Sequence, residues 1–168
     1  GRHHLRRPGL LCGRRQRRRV LRDRRYHLAG PFLAAHHGHV VHRRGQKVAG
    51  IANDIPRVTL LGDVDDAGLL VVGWGSTWGA IDGAANRVRA RGHRVAHAHL
   101  THLNPFPPNL GEVLARHRHV VVPELNLGQL SKLLRAEYLV DARSVTKVQG
   151  VPFTAGELEI AFLKELGA

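Results

Sequence analysis

Residues 68–88 restrict the fold more than any other part of this chain. Leu69, Leu70, Val71 and Val72 form an unbroken apolar run, which predicts a strand covered on both faces, as in a parallel sheet. Gly73 and Gly75 follow at once and allow a sharp turn with close neighbours. Ser76 and Thr77 are placed to cap a helix. On that helix Trp78, Ile81, Ala85 and Val88 recur at spacings of three and four and mark one apolar face. Strand, glycine turn and helix make half of a βαβ unit.

The rest of the chain supplies further units. Residues 94–100 read as a second strand, and the prolines at 105, 107 and 108 force a loop over 101–108. Gly92 stands as the residue past the helix end, behind Arg87, Arg89 and Arg91, whose charges suit the negative end of the helix dipole. Asn109 with Glu112, Asn126 with Gln129, and Thr154 with Glu157 are cap-like pairs that predict three more helix starts. Phe153 and Leu158 are spaced as a hydrophobic staple on the last. Residues 119–123 predict a third strand, residues 144–149 a fourth, and residues 46–54 a short helix ended by Pro56. Leu127, Leu130, Leu134 and Tyr138 form the expected core stripe of the middle helix; Leu158, Ala161, Phe162 and Leu166 form that of the last. The expected class is α/β: a three-layer arrangement around a mainly parallel sheet of four to five strands, over residues 68–168. Residues 44–67 are expected as helix and linker, and residues 1–43 as an irregular basic segment.

That basic segment decides how the charge is read. The chain of 168 residues has a formal net charge of +13, which alone points to nucleic acid. Residues 1–46, however, carry 13 arginines and a single acid, Asp23, whereas residues 47–168 carry 13 Lys and Arg against 12 Asp and Glu. The α/β part is nearly neutral. Three readings of the leading segment stand open: a solvated disordered arm, a nucleic-acid-binding arm within residues 1–25, and out-of-frame translation of a G+C-rich gene, which enriches Arg, His, Gly, Ala and Pro. The arm lacks the aromatic platforms of nucleic-acid modules, so nucleic acid is not the expected partner. The single cysteine, Cys12, excludes an internal disulfide and fits a cytoplasmic address. No run of about 18 apolar residues is present to span a membrane. With no methionine at position 1 or elsewhere, the chain reads as a piece of a longer product.

Candidate chemistry gathers at the carboxyl ends of the strands, where α/β proteins bind ligands. Gly75, Ser76 and Thr77 form a candidate anion or interface turn. Its GxGxxxG spacing is one residue off the dinucleotide fingerprint, and the acidic residue about 20 positions on is missing, which favours a packing turn. Thr101, Asn104, Glu124 and Asn126 form a candidate edge loop, with helix-start polarity as the plainer reading of the last two. His97, His99 and His102 resemble a metal cluster, but a zinc site needs more ligands than their neighbourhood offers, so no metal site is expected. No catalytic set is visible.

Four segments carry a resemblance: LLVVGWGSTWGAIDGA (69–84), VAHAHLTHLNPFPPNLGEVL (95–114), HVVVPELNLGQLSKLLRAEYLVD (119–141) and TKVQGVPFTAGELE (146–159). Together with RGQKVAGIANDIP (44–56) they resemble the C-terminal region of the alpha subunit of 2-oxoacid:ferredoxin oxidoreductases, nearest the 2-oxoglutarate type with fused gamma and alpha subunits. The resemblance implies a fold similar to the transketolase C-terminal domain. It implies a parent complex that oxidatively decarboxylates a 2-oxoacid, forms an acyl-CoA from coenzyme A, and passes electrons through an iron–sulfur cluster to ferredoxin. Thiamine diphosphate, magnesium and the cluster would be held outside this chain, so no catalytic residue carries over to it. A beta subunit and an upstream alpha domain are the implied partners. The glycine turn and the 104–107 loop would shape a docking edge, with Gly79, Gly83 and Ala84 allowing close helix approach. Residues 1–43 depart from the family pattern.

Overall fold

The computed structural model describes residues 32–65 and 67–168. Expectations for Cys12, the arginine block and residues 1–31 as a whole therefore lie outside the described residues. The chain divides into two units, residues 1–47 and residues 48–168.

Residues expected to be irregular form most of a helix, α1 (Phe32–Ile51), which begins in the first unit and ends in the second. A single turn of 3₁₀ helix at Ala52–Asp54 follows, and the chain is extended by Ile55, before Pro56.

The second unit is built on five strands: β1 (Leu60–Gly62), β2 (Leu69–Trp74), β3 (Val95–Leu100), β4 (Val120–Glu124) and β5 (Ala142–Thr146). Their order across the sheet is β1-β3-β2-β4-β5, all parallel except β1, which runs antiparallel to β3 with Leu61 opposite His97. Four helices cover the sheet: α2 (Trp78–Ala90), α3 (Leu110–Ala115), α4 (Gln129–Tyr138) and α5 (Ala155–Leu166).

Strand β2 shows why the layers form. Leu69, Leu70, Val71 and Val72 have no exposed surface, and successive side chains point to opposite faces. Leu70 and Val72 join a cluster with Leu110, Leu114, Leu130 and Leu134 from α3 and α4. Leu69 and Val71 join another with Ile81, Val88, Leu158 and Phe162 from α2 and α5. Each such side chain contributes about 1.5–3 kcal/mol when removed from water, so the apolar run is stable only between two helical layers.

Several local expectations change in three dimensions. Residues 57–67, expected as linker, supply the edge strand β1, held by long-range bonds that no local pattern encodes. Asn109, expected to cap α3, makes no cap bond; its side chain instead accepts the Val58 N–H (2.8 Å) and donates to the Val58 carbonyl (2.9 Å). The last strand begins two residues earlier than expected. Trp78 and Leu127 do not join the core and are 47% and 73% exposed. Gly83 and Ala84 serve the inside of the domain: Ala84 is fully buried, and a Cβ on Gly83 would meet Ala155 of α5 at 3.1 Å. The arginines at the end of α2 do more than offset a dipole. Arg87 and Arg91 both pair with Glu159 of α5 (3.4 and 2.6 Å), and Arg89 bonds the Val95 carbonyl (3.1 Å).

Other expectations hold. Gly92 takes φ +89° just past α2 and donates to the Arg89 carbonyl. Thr154 and Glu157 form the reciprocal cap of α5, with Phe153 and Leu158 buried in one cluster. Lys147 reaches Glu157 at 2.7 Å and, with the Thr154 bonds, holds that carboxyl down at about 2. Among the described residues no helix is long and apolar enough to cross a membrane.

Candidate functional site

The order of the strands places a crevice. From β2 the chain moves to β3 through α2 on one face of the sheet, then crosses back over β2 to β4 through α3 on the other face. The carboxyl ends of β2 and β4 therefore carry loops that diverge to opposite faces. Ligand crevices of open α/β sheets form at such a reversal. A cavity of about 440 Å³ lies there, lined by Trp74, Gly75, Ser76, Thr77, Leu125, Asn126 and Gln129.

This cavity unites the glycine turn with Asn126 and leaves out Thr101, Asn104 and Glu124. Gly75 needs its lack of a side chain, because it turns at φ +60°. Thr77 is buried, and its hydroxyl is not free to cap α2. It donates to the Trp74 carbonyl (2.8 Å) and accepts the Trp74 N–H (3.3 Å), closing the turn Gly75–Thr77. Thr101 bonds its neighbour His102 (2.9 Å), and Asn104 is exposed in the loop beyond β3. Trp74 and Leu125 are not singled out by sequence, and Gln129 only as the cap partner of Asn126. Their only signal as lining residues was position, at or just beyond the carboxyl ends of the two strands.

Glu124 has a role that its position alone did not disclose. Its carboxylate is fully buried and accepts the N–H groups of Leu130 (2.7 Å) and Ser131 (3.0 Å) and the Ser144 hydroxyl (3.3 Å). Asn126 accepts the N–H groups of Gly128 and Gln129, both at 2.9 Å. Four successive amides at the start of α4, where an anionic ligand would be attracted, are thus occupied by the protein's own side chains. The carboxylate also satisfies the positive end of the helix dipole. The cavity lining contains no charged side chain, only an indole, aliphatic surface, hydroxyls and two carboxamides. It suits uncharged, partly apolar surface better than phosphate.

The histidines on β3 separate. His97 and His99 share a face, with ring centroids 5.5 Å apart, whereas His102 lies in the loop. His97 is fully buried under Trp78 (6.5 Å between rings) and beside Gly73 and Ile81. Neither of its ring nitrogens, nor Nδ1 of His99, has a hydrogen-bond partner. Burial lowers His97 to about 4, helped by His99 and Arg89 and opposed by Asp82; burial also lowers His99. Among the described residues no three His, Cys, Asp or Glu side chains stand together as a metal-ligand set. The lining residues do not fit magnesium or an iron–sulfur cluster, because they include neither carboxylate nor thiolate.

No family model matches the chain. Over 127 residues it is 54% identical to the 2-oxoglutarate oxidoreductase subunit KorA of Mycobacterium tuberculosis, a match covering 76% of this chain and 19% of that protein. Over 102 residues it is 39% identical to 2-oxoacid:ferredoxin oxidoreductase 1, subunit alpha, of Aeropyrum pernix, covering 56% of this chain and 16% of that one. The chain thus spans less than a fifth of the length of these curated relatives. A solved structure of 2-oxoglutarate:ferredoxin oxidoreductase from Magnetococcus marinus, with 2-oxoglutarate, coenzyme A and succinyl-CoA bound, superposes with a TM-score of 0.72 at 28% identity, covering 79% of this chain and 23% of that one. An inactive beta4 tetramer of a split-gene transketolase shares the fold, with a TM-score of 0.51 at 24% identity over 66% of this chain and 41% of that chain.

Proposed function

From the premise that this chain is homologous to a segment of 2-oxoacid:ferredoxin oxidoreductase alpha subunits, we propose that it is the C-terminal, subunit-docking domain of such an enzyme. The parent complex takes a 2-oxoacid, of which 2-oxoglutarate is the first choice, and coenzyme A to carbon dioxide and an acyl-CoA, and gives the electrons to ferredoxin. Thiamine diphosphate, magnesium and the iron–sulfur cluster belong to the remainder of the alpha subunit and to a beta subunit, and the chain is inactive alone.

One observation carries the docking role. The carboxyl edge presents Trp78, Leu125 and Leu127 to solvent, Leu125 in the wall of a cavity without charged side chains and the other two next in sequence to its lining residues Thr77 and Asn126, and Gly75 and Gly79 open onto empty space. Apolar surface framed by small residues allows another backbone to come close, and contiguous patches of this kind mark interaction sites. The chemistry of the edge fits a polypeptide surface, not an anionic substrate.

Co-expression tests the proposal. The chain is expressed with the remainder of a homologous alpha subunit and with its beta subunit, and 2-oxoglutarate- and coenzyme A-dependent reduction of a viologen dye is followed. Activity is expected only from the assembled complex, and Gly79→Glu is expected to abolish co-purification. Turnover by the purified chain alone would overturn the proposal, as would unimpaired assembly of the Gly79→Glu variant.

A further inference from the structure

The positive charge of the leading segment has no part in the oxidoreductase reading, and helix α1 gives some of that charge an ordered geometry. Its sequence, FLAAHHGHVVHRRGQKVAGI, holds four histidines, two arginines and one lysine, with no Asp or Glu. On a helix of about 3.6 residues per turn, His36, His39, Arg43 and Lys47 fall on one face because their spacings are three, four and four. Arg44 lies at the margin of that face. These five residues and Val40 line a cavity of about 310 Å³. Among the described residues Arg43, Arg44 and Lys47 have no acidic partner, and all three are exposed.

We propose that this face of α1 binds the phosphodiester backbone of double-stranded nucleic acid, without reading base sequence. Duplex DNA carries one negative charge per roughly 1.7 Å of axis, so the face, about 16 Å long at a rise of 1.5 Å per residue, lies within reach of several phosphates. An anionic membrane is the less suitable polyanion. A helix lying in a lipid interface needs a bulky apolar face with Trp, Phe or Leu, whereas over residues 36–51, the part of α1 whose burial is described, the large exposed apolar residues are Val41, Val48 and Ile51, interrupted by Gly45 and Gly50.

The test measures full-chain binding to a labelled 20-base-pair duplex by fluorescence anisotropy over a salt series. The variants are Arg43→Gln/Arg44→Gln/Lys47→Gln and, as a control of equal charge change on the other unit, Arg116→Gln/Arg118→Gln/Lys132→Gln. Each phosphate neutralised adds about 0.9 to the slope of log affinity against log salt, so the helix variant is expected to lose about 2.7 from that slope. That share of the binding falls roughly 40-fold between 50 and 200 mM salt. The control is expected to keep the wild-type slope. Gln is close to Lys and Arg in helix propensity, so unchanged circular dichroism is expected to show that α1 persists. Equal slopes for wild type and helix variant would overturn the proposal. So would equal losses in both variants, or tighter binding to phosphatidylserine vesicles than to the duplex. None of these outcomes depends on assembly with oxidoreductase subunits.

Discussion

His97 has no exposed surface, and both of its ring nitrogens lack a partner. The native state holds it neutral until about pH 4, while an unfolded histidine takes up its proton near 6.5. As the pH falls from 6.5 towards 4 the unfolded state binds more protons than the native state, so stability drops through that window and levels off below it. The shift corresponds to a loss of about 3 kcal/mol. The groups acting on the ring are His99 on the same strand and Asp82 and Arg89 on α2. In His97→Leu this contribution disappears. Urea unfolding at pH 7 and pH 4 is expected to show the wild type losing about 3 kcal/mol more than the variant between the two. Parallel losses would mean that the proton is taken up elsewhere.

Within the strand, turn and helix of residues 69–90, two glycines that look alike in sequence have opposite duties. A Cβ on Gly73 would meet Ile81 Cδ1 at 2.5 Å, His99 Nδ1 at 3.0 Å and His97 Nε2 at 3.2 Å, whereas one on Gly79 would meet nothing within 4 Å. Gly73→Ala is therefore expected to destabilise by about 1–3 kcal/mol through overpacking. Gly79→Ala is expected to stabilise by up to about 1 kcal/mol, because alanine restricts the unfolded chain and favours helix. Chemical denaturation of both variants checks the pair, and a common sign would contradict the packing described. The same element shows what sequence discloses. The apolar run of β2 and the helix after it were legible, because burial on both faces leaves a continuous pattern. Trp78 was misplaced, since a 3.6-residue period cannot tell the edge of an apolar face from its centre. Asn109 was misread for a different reason. A cap and a bond to Val58, 51 residues away, require the same side chain, and only the tertiary fold chooses between them.

Across the whole second unit, the layer order followed from strands alternating with helices, but the site did not. Gly75, Ser76, Thr77 and Asn126 were legible as candidates because they follow strand ends. Which of them meet depends on β2 and β4 being neighbours, a fact of topology rather than of local pattern. Glu124 was drawn to the site by position and then taken by the amides of α4. The same topology brings Leu125 into the cavity wall, with Leu127 next in sequence to the lining residue Asn126; they are 36% and 73% exposed and add little to the core. If they belong to a docking surface, their cost falls on the isolated chain as apolar area open to water. Leu125→Gln/Leu127→Gln is therefore expected to reduce binding of a hydrophobic dye such as anilinonaphthalene sulfonate several-fold, while moving the unfolding free energy by no more than about 0.5 kcal/mol per site, as at other surface positions. A large loss of stability would show that these leucines hold the domain together instead. Unchanged dye binding would place the exposed apolar surface elsewhere, with Leu139 and Ile160, 90% and 72% exposed, as the next positions to substitute.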